Sequence, residues 1–217
     1  MACCQCQGIE TLFNKKVATR ELKKYRKRGP RKTTRMLIEA LKGEGVEGMG
    51  LLDIGGGIGA IQHELLKAGV SAAVNVDASK AYIEAAGEEA ERQGHADRVS
   101  YHHGDFVNLA PGIAPSDIVT LDRVICCYPD MEALVRLSLA RASKLYGVVY
   151  PRDAWWMKIA IPIGNFILWA MRNSFRAFVH PTKEVETIVR SNGLERRFYR
   201  KTAILWQVAV YAHSGGG

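Results

Sequence analysis

The chain has 217 residues, 47% of them apolar, which is enough for one domain with a substantial buried core. Its charge of +8 is uneven: Lys15 to Arg35 holds eleven basic residues against one acid, Glu21, and the remainder is close to neutral. No run reaches the roughly 20 apolar residues of a spanning helix, which argues against an integral membrane protein. The start, Met1 to Gln7, lacks the basic-then-apolar order of a secretory signal. Five cysteines in two clusters do not form a secreted disulfide framework, so a cytoplasmic location is expected.

Residues 1–45 read as a basic helical extension. Leu12, Phe13, Val17, Leu22 and Tyr25 form one apolar stripe and Met36, Leu37, Ile38 and Leu41 another, with Gly29-Pro30 as the turn between them. Gly43, Gly45, Gly48 and Gly50 then mark a loop. From there to residue 213 short apolar runs alternate with amphipathic ones. Strands are expected over Met49–Ile54, Ala72–Val76, Val99–His102, Asp117–Leu121 and Lys144–Tyr150. Helices are expected over Ile58–Ala68, Ser79–Gln93 and Asp130–Ala142. Such a rhythm calls for an α/β fold, a mostly parallel Rossmann-like sheet with helices on both faces. The last two runs, Leu194–Arg200 and Ala203–Ala212, are separated only by Lys201-Thr202 and must pair as an antiparallel hairpin closing a seven-stranded sheet.

Leu51-Leu52-Asp53-Ile54-Gly55-Gly56-Gly57-Ile58-Gly59 is the strongest signal. A buried strand runs into glycines that let the backbone turn tightly beside a ligand, with a helix starting behind them. Asp53 closes the strand where a carboxylate can reach the ammonium of an amino-acid cofactor. Asp77, followed by Ala78, ends the second strand at the spacing of a ribose-hydroxyl acceptor. Asp105 and Phe106 follow the third strand, offering a carboxylate and a ring to an adenine, and Asp122 ends the fourth. This set resembles the class I S-adenosylmethionine-dependent methyltransferases, and the resemblance covers the chain from about Met49 onward. It implies S-adenosyl-L-methionine as cofactor, held by Asp53, Gly55, Gly57, Gly59, Asp77, Ala78, Asp105, Phe106 and Asp122.

The fourth strand leads into Asp122-Arg123-Val124-Ile125-Cys126-Cys127-Tyr128-Pro129, without the Asn-Pro-Pro-Tyr type of tetrad that cradles an exocyclic nitrogen, so a nucleobase acceptor is not expected. Tyr150-Pro151-Arg152-Asp153 follows the fifth. Then comes an apolar insertion, 154–173, whose Pro162, Gly164 and Asn165 predict two short helices with a break. Its tryptophans suit the wall of a greasy pocket or a peripheral membrane contact. Tyr128-Pro129, Pro151-Arg152, this insertion and the basic lead Tyr25-Arg26-Lys27-Arg28-Gly29 together resemble the magnesium-protoporphyrin O-methyltransferase group. Where that group has His-Tyr-Pro, this chain has Cys127-Tyr128-Pro129, which implies a related pocket rather than the same acceptor.

The reading that follows is O-methylation of a lipophilic, acidic small molecule, with Tyr128 and Arg152 at the acceptor and His180 within reach as a general base. Three alternatives remain open, the first a protein that binds the cofactor and methylates nothing. Cys3, Cys4 and Cys6 could join Cys126 or Cys127 in a thiol- or metalloid-directed methyltransferase, although no recognised metal spacing is present. The basic stretch could instead bind RNA, or it is simply a solvated helical face.

Overall fold

The computed structural model describes residues 4–213, with side chains from residue 7 onward; Cys3 and the glycine-rich end lie outside the described residues. Helices α1 (Cys4–Leu12), α2 (Lys15–Arg28) and α3 (Lys32–Gly43) come first. Asn14 caps α2 by accepting from the backbone N–H of Lys16 and Val17, satisfying donors that a helix start leaves unpaired.

The alternating part then runs β1 (Gly50–Ile54), α4 (Ala60–Lys67), β2 (Ala72–Asp77), α5 (Lys80–Gln93), β3 (Val99–His103), α6 (Phe106–Leu109), β4 (Ser116–Asp122), α7 (Met131–Leu139) and β5 (Ala142–Pro151). After these come α8 (Met157–Ala170), α9 (Thr182–Ser191), β6 (Leu194–Lys201) and β7 (Trp206–His213). The seven strands form one sheet in the order β3-β2-β1-β4-β5-β7-β6. β1 to β5 are parallel, and β7 runs antiparallel to both β5 and β6. The strand order reverses between β1 and β4, the place where an open α/β sheet leaves a crevice at the carboxyl ends of its strands.

Neighbouring strand residues point to opposite faces, so Leu51 and Leu52 enter different cores. Leu52, Ile54, Val119, Leu121, Tyr146 and Val148 pack beneath α7 and α9 on one face. Leu51, Ala73, Ile118, Leu145, Val149, Val208 and Val210 meet α3 and α4 on the other. Leu37, Ile38 and Leu41 of α3 are fully buried there, each contributing about 2 kcal/mol of burial. Helix α2 lies over α5 through Ala18, Leu22, Tyr25, Tyr82 and Ala85, and Arg26 pairs with Glu88 and Glu89 of α5. Part of the basic stretch is therefore a docked edge rather than solvated charge.

Two local expectations are corrected. The insertion is one helix, α8, that continues through Pro162. The proline removes one backbone donor, and Asn165, read as a breaker, is instead an anchor: its side chain donates to Ala177 O and accepts from Ala177 N, both at 2.8 Å. The hairpin connection is also longer than two residues. β7 begins at Trp206, and Thr202 closes the loop through three bonds with Trp206 at 2.8–3.0 Å.

Candidate active site

At the carboxyl ends of β1, β2 and β4 lies a cavity of about 430 Å³, roofed by residues from α1, α2 and α3. Its sheet side is the glycine loop. Gly55 and Gly57 have φ of 64° and 57°, a conformation that costs any side chain other than glycine's. A Cβ on Gly55 would lie 2.3 Å from Val124 Cγ2, whereas at Gly57 it would meet open space. Gly59, φ 77°, does not line the cavity; it starts α4 and is packed against Gln62 and His63.

Asp53 and Asp77 are both buried in the cavity wall. Asp77 Oδ2 accepts from Gly57 N at 2.9 Å and Oδ1 from Ser79 N at 2.7 Å, so one carboxylate ties the glycine loop to the start of α5. Burial pushes its pKa up to about 6 against those two bonds. Asp53 Oδ1 accepts from the Thr120 hydroxyl at 2.7 Å, while Oδ2 is buried with no partner among the described residues. Burial, opposed by the Thr120 bond and reinforced by the charges of Asp122 and Asp77, raises its pKa to about 7. An orphaned acid at the end of β1 is what an incoming ammonium group would satisfy. The residues therefore fit an amino-acid nucleoside cofactor. Ala78, Gly104 and Phe106 also line the cavity.

Asp105 does not. It caps α6 through Val107 N at 3.0 Å and accepts a short bond from the Tyr128 hydroxyl. Tyr128 lines the cavity with that hydroxyl engaged. Arg152 is likewise turned away: its Nη1 donates to Thr202 O at 3.0 Å and Ala203 O at 2.9 Å, bracing the β6–β7 loop. His180 lies on a separate surface groove with Pro129 and Lys183, and its Nε2 sits 2.9 Å from Tyr128 O. Of the three residues expected at the acceptor, the structure brings only Tyr128 to the cavity.

The rest of the wall comes from residues without a local motif. Thr34 donates a short hydrogen bond to Asp122, whose carboxylate also receives Arg123 Nε at 2.9 Å and Nη2 at 3.0 Å. Tyr25, Tyr82, Phe13, Phe175, Ala177 and Trp206 supply aromatic and apolar surface, and Glu21, Lys24 and Arg31 line the α2–α3 side. Cys126 and Cys127 also face the cavity, their sulfurs 4.0 Å apart and both donating to Arg123 O. The Cys127 thiol is raised well above its usual pKa by its bond to Cys126 and by burial, so it is a neutral thiol rather than a thiolate. Among the described residues no group of three or more His, Cys, Asp or Glu side chains is placed to hold a metal. The expected convergence of Cys3, Cys4 and Cys6 on this pair lies outside the described side chains.

Residues 51–144 match the methyltransferase domain family. The chain is 30% identical over 127 residues to the ribosomal protein L11 methyltransferase of Erwinia tasmaniensis; that stretch is 55% of this chain and spans less than half, 43%, of the relative. Among solved structures, magnesium protoporphyrin IX methyltransferase from Synechocystis PCC 6803 with bound SAH superposes with a TM-score of 0.68 at 16% identity, covering 84% of this chain and 82% of that one. An O-methyltransferase family protein from Burkholderia thailandensis gives 0.69 at 14% identity, covering 96% of this chain and 64% of that one. Residues 51–144 are thus similar to a methyltransferase domain, and the sheet has the Rossmann-like fold of these solved methyltransferases.

Proposed function

We propose that the protein transfers the methyl group of S-adenosylmethionine to an oxygen of a lipophilic, acidic small molecule. The carrying observation is the composition of the cavity beyond the cofactor residues. Phe13, Phe175, Ala177 and Trp206 form its apolar surface, with the cations Lys24, Arg31 and Arg123 among them. When bound, the cofactor supplies an electrophilic methyl on a good leaving group, so this chain's part is positioning and exclusion of water. Asp53 and Asp77 are placed to hold the ammonium and ribose ends, and the Tyr25–Thr34 roof closes the space above them. A carboxylate acceptor needs no base, which suits a cavity with no histidine among its described lining residues.

Labelled S-adenosylmethionine offered with a panel of lipophilic acids and phenols tests this. The expected product extracts into organic solvent and releases its label in mild alkali, as a methyl ester does. Transfer only to thiols or arsenite would favour the runner-up, for which the Cys126–Cys127 pair is the supporting observation; transfer to RNA would overturn both readings.

A peripheral membrane contact goes with a lipophilic acceptor. Trp155, Phe166 and Trp169 are 75%, 64% and 63% exposed, and Ile159, Ile163 and Ile167 lie beside them on α8, far more apolar surface than a soluble helix usually shows. The chain returning from α8 packs its Phe175 edge-on to Phe13 at the cavity mouth, next to the start of basic α2. We read the surface as one that meets an anionic bilayer. Among the described residues no helix is long and apolar enough to cross a membrane.

A further inference from the structure

We propose that Arg123, rather than Arg152, reads the acceptor, its guanidinium binding an acidic group that the acceptor carries. The inference rests on the preceding reading of the cavity's apolar side as acceptor space.

Asp122 and Arg123 are consecutive at the end of β4, and consecutive extended residues point to opposite faces of a sheet. Here they touch, through two nitrogens at 2.9 and 3.0 Å. They can do so because Arg123 adopts φ 66°, a left-handed conformation that costs a residue with a Cβ about 1–2 kcal/mol. The bend is held from several sides. Arg123 N donates to Val149 O at 2.7 Å, both cysteine thiols donate to Arg123 O, and Thr34 Oγ1 accepts from Nη2 at 3.2 Å. Backbone strain maintained this way is characteristic of working sites.

The turned side chain lines the cavity beside Trp206, with Cζ 5.9 Å from the ring centroid. Its Nε and Nη2 are occupied by Asp122 and Thr34, but no described group accepts from Nη1. A structural ion pair needs only the occupied edge. The remaining donors are left in a largely apolar wall, where a carboxylate or other oxyanion pairs with a guanidinium best. Arg31, the other arginine in the lining, is already paired with Glu21. Asp122 and Thr34 are then positioning residues that hold the guanidinium on the Trp206 side of the cavity.

The test uses the full chain saturated with S-adenosylhomocysteine and two probes of equal bulk, naphthoate and naphthyl methanol. The unmodified protein should bind the acid about tenfold or more tightly than the alcohol. Arg123→Gly, whose new residue suits φ 66°, should abolish that preference while leaving alcohol binding and S-adenosylhomocysteine affinity within about twofold. Arg123→Lys should retain part of the preference, because the charge stays and the fork goes; it also reads the effect if the glycine variant is poorly folded. A parallel fall in S-adenosylhomocysteine affinity would assign Arg123 to the cofactor and overturn the proposal. So would an acid preference that survives in Arg123→Gly, or an unmodified protein that binds neither probe or both equally. Acid preference without methyl transfer to any oxygen would sink the proposed reaction and leave the role of Arg123 standing.

Discussion

Asp53→Asn should make the empty protein more stable and the cofactor bind less well, and the gain should grow with pH. The native carboxyl titrates at about 7 and its ordinary value is 3.8. A carboxyl whose pKa is raised by folding holds its proton longer in the native state, so its contribution to stability is fullest below the ordinary value and is lost as pH rises through 7. Relative to a group that stays neutral, linkage gives a cost of about 2 kcal/mol at pH 5 and about 4 kcal/mol at pH 8. Asparagine keeps the acceptor for Thr120 Oγ1 and removes the charge, and Asp77 is present in both proteins. The stability gap in favour of the variant should therefore widen by about 2–3 kcal/mol between pH 5 and pH 8. Urea melts of both proteins at the two pH values measure it. Calorimetry should show S-adenosylhomocysteine affinity reduced about 10- to 100-fold in Asp53→Asn at pH 8, and weakening in the unmodified protein as pH falls below 7. A gap that does not change with pH, or a variant less stable at pH 8, would refute the account of Asp53 as a buried acid awaiting a cation.

Asp77→Ala leaves the backbone donors of Gly57 and Ser79 without their acceptor; S-adenosylhomocysteine should lose about 30-fold or more in affinity, and a melting-temperature shift on ligand addition reads it. Gly55→Ala must take φ 64° and push Val124 aside, so urea denaturation should show a loss of about 2–4 kcal/mol. Arg152→Ala should cost about 1–2 kcal/mol by releasing the β6–β7 loop and leave S-adenosylhomocysteine affinity unchanged by calorimetry. Replacing Trp155 and Trp169 with serine should remove sedimentation with phosphatidylglycerol vesicles without altering the fold by circular dichroism, if α8 meets a bilayer.

The half of the cavity that we assign to the cofactor is legible because its information is local. Strand, glycines and the two strand-ending acids occupy one continuous stretch whose spacing follows from backbone geometry. The other half is assembled from distant places: Phe13 and Thr34 before the sheet begins, Phe175 after α8, Trp206 at the start of the last strand. None has a periodicity that sets it apart from a core residue. Arg152 shows how adjacency misleads. It follows β5 as closely as Arg123 follows β4, but two loop carbonyls across the hairpin capture it. Asn165 misleads in the opposite direction, since a residue that weakens a helix locally is retained for bonds to a segment twelve residues on. A left-handed Arg123 has no sequence signature, because arginine is not a residue that prefers such a turn.

The basic N-terminal helices connect the two halves. Tyr25 of α2 donates to Glu64 of α4, behind the glycine loop, at 2.8 Å, and Thr34 of α3 bonds Asp122 and Arg123 at the end of β4. Glu89, on which α2 is docked, would be raised by burial, yet bonds from Arg92, Arg26 and Gln93 hold it at about 2, so this attachment persists far below neutrality. The roof is thus held by its cores as well as by charge: α2 packs apolar residues on α5, α3 buries Leu37, Ile38 and Leu41 against the sheet, and a hydroxyl at each end reaches a carboxylate. Hydroxyl bonds to carboxylates contribute about 1.5–3 kcal/mol each, so both ends of the cavity are tied to the docked helices.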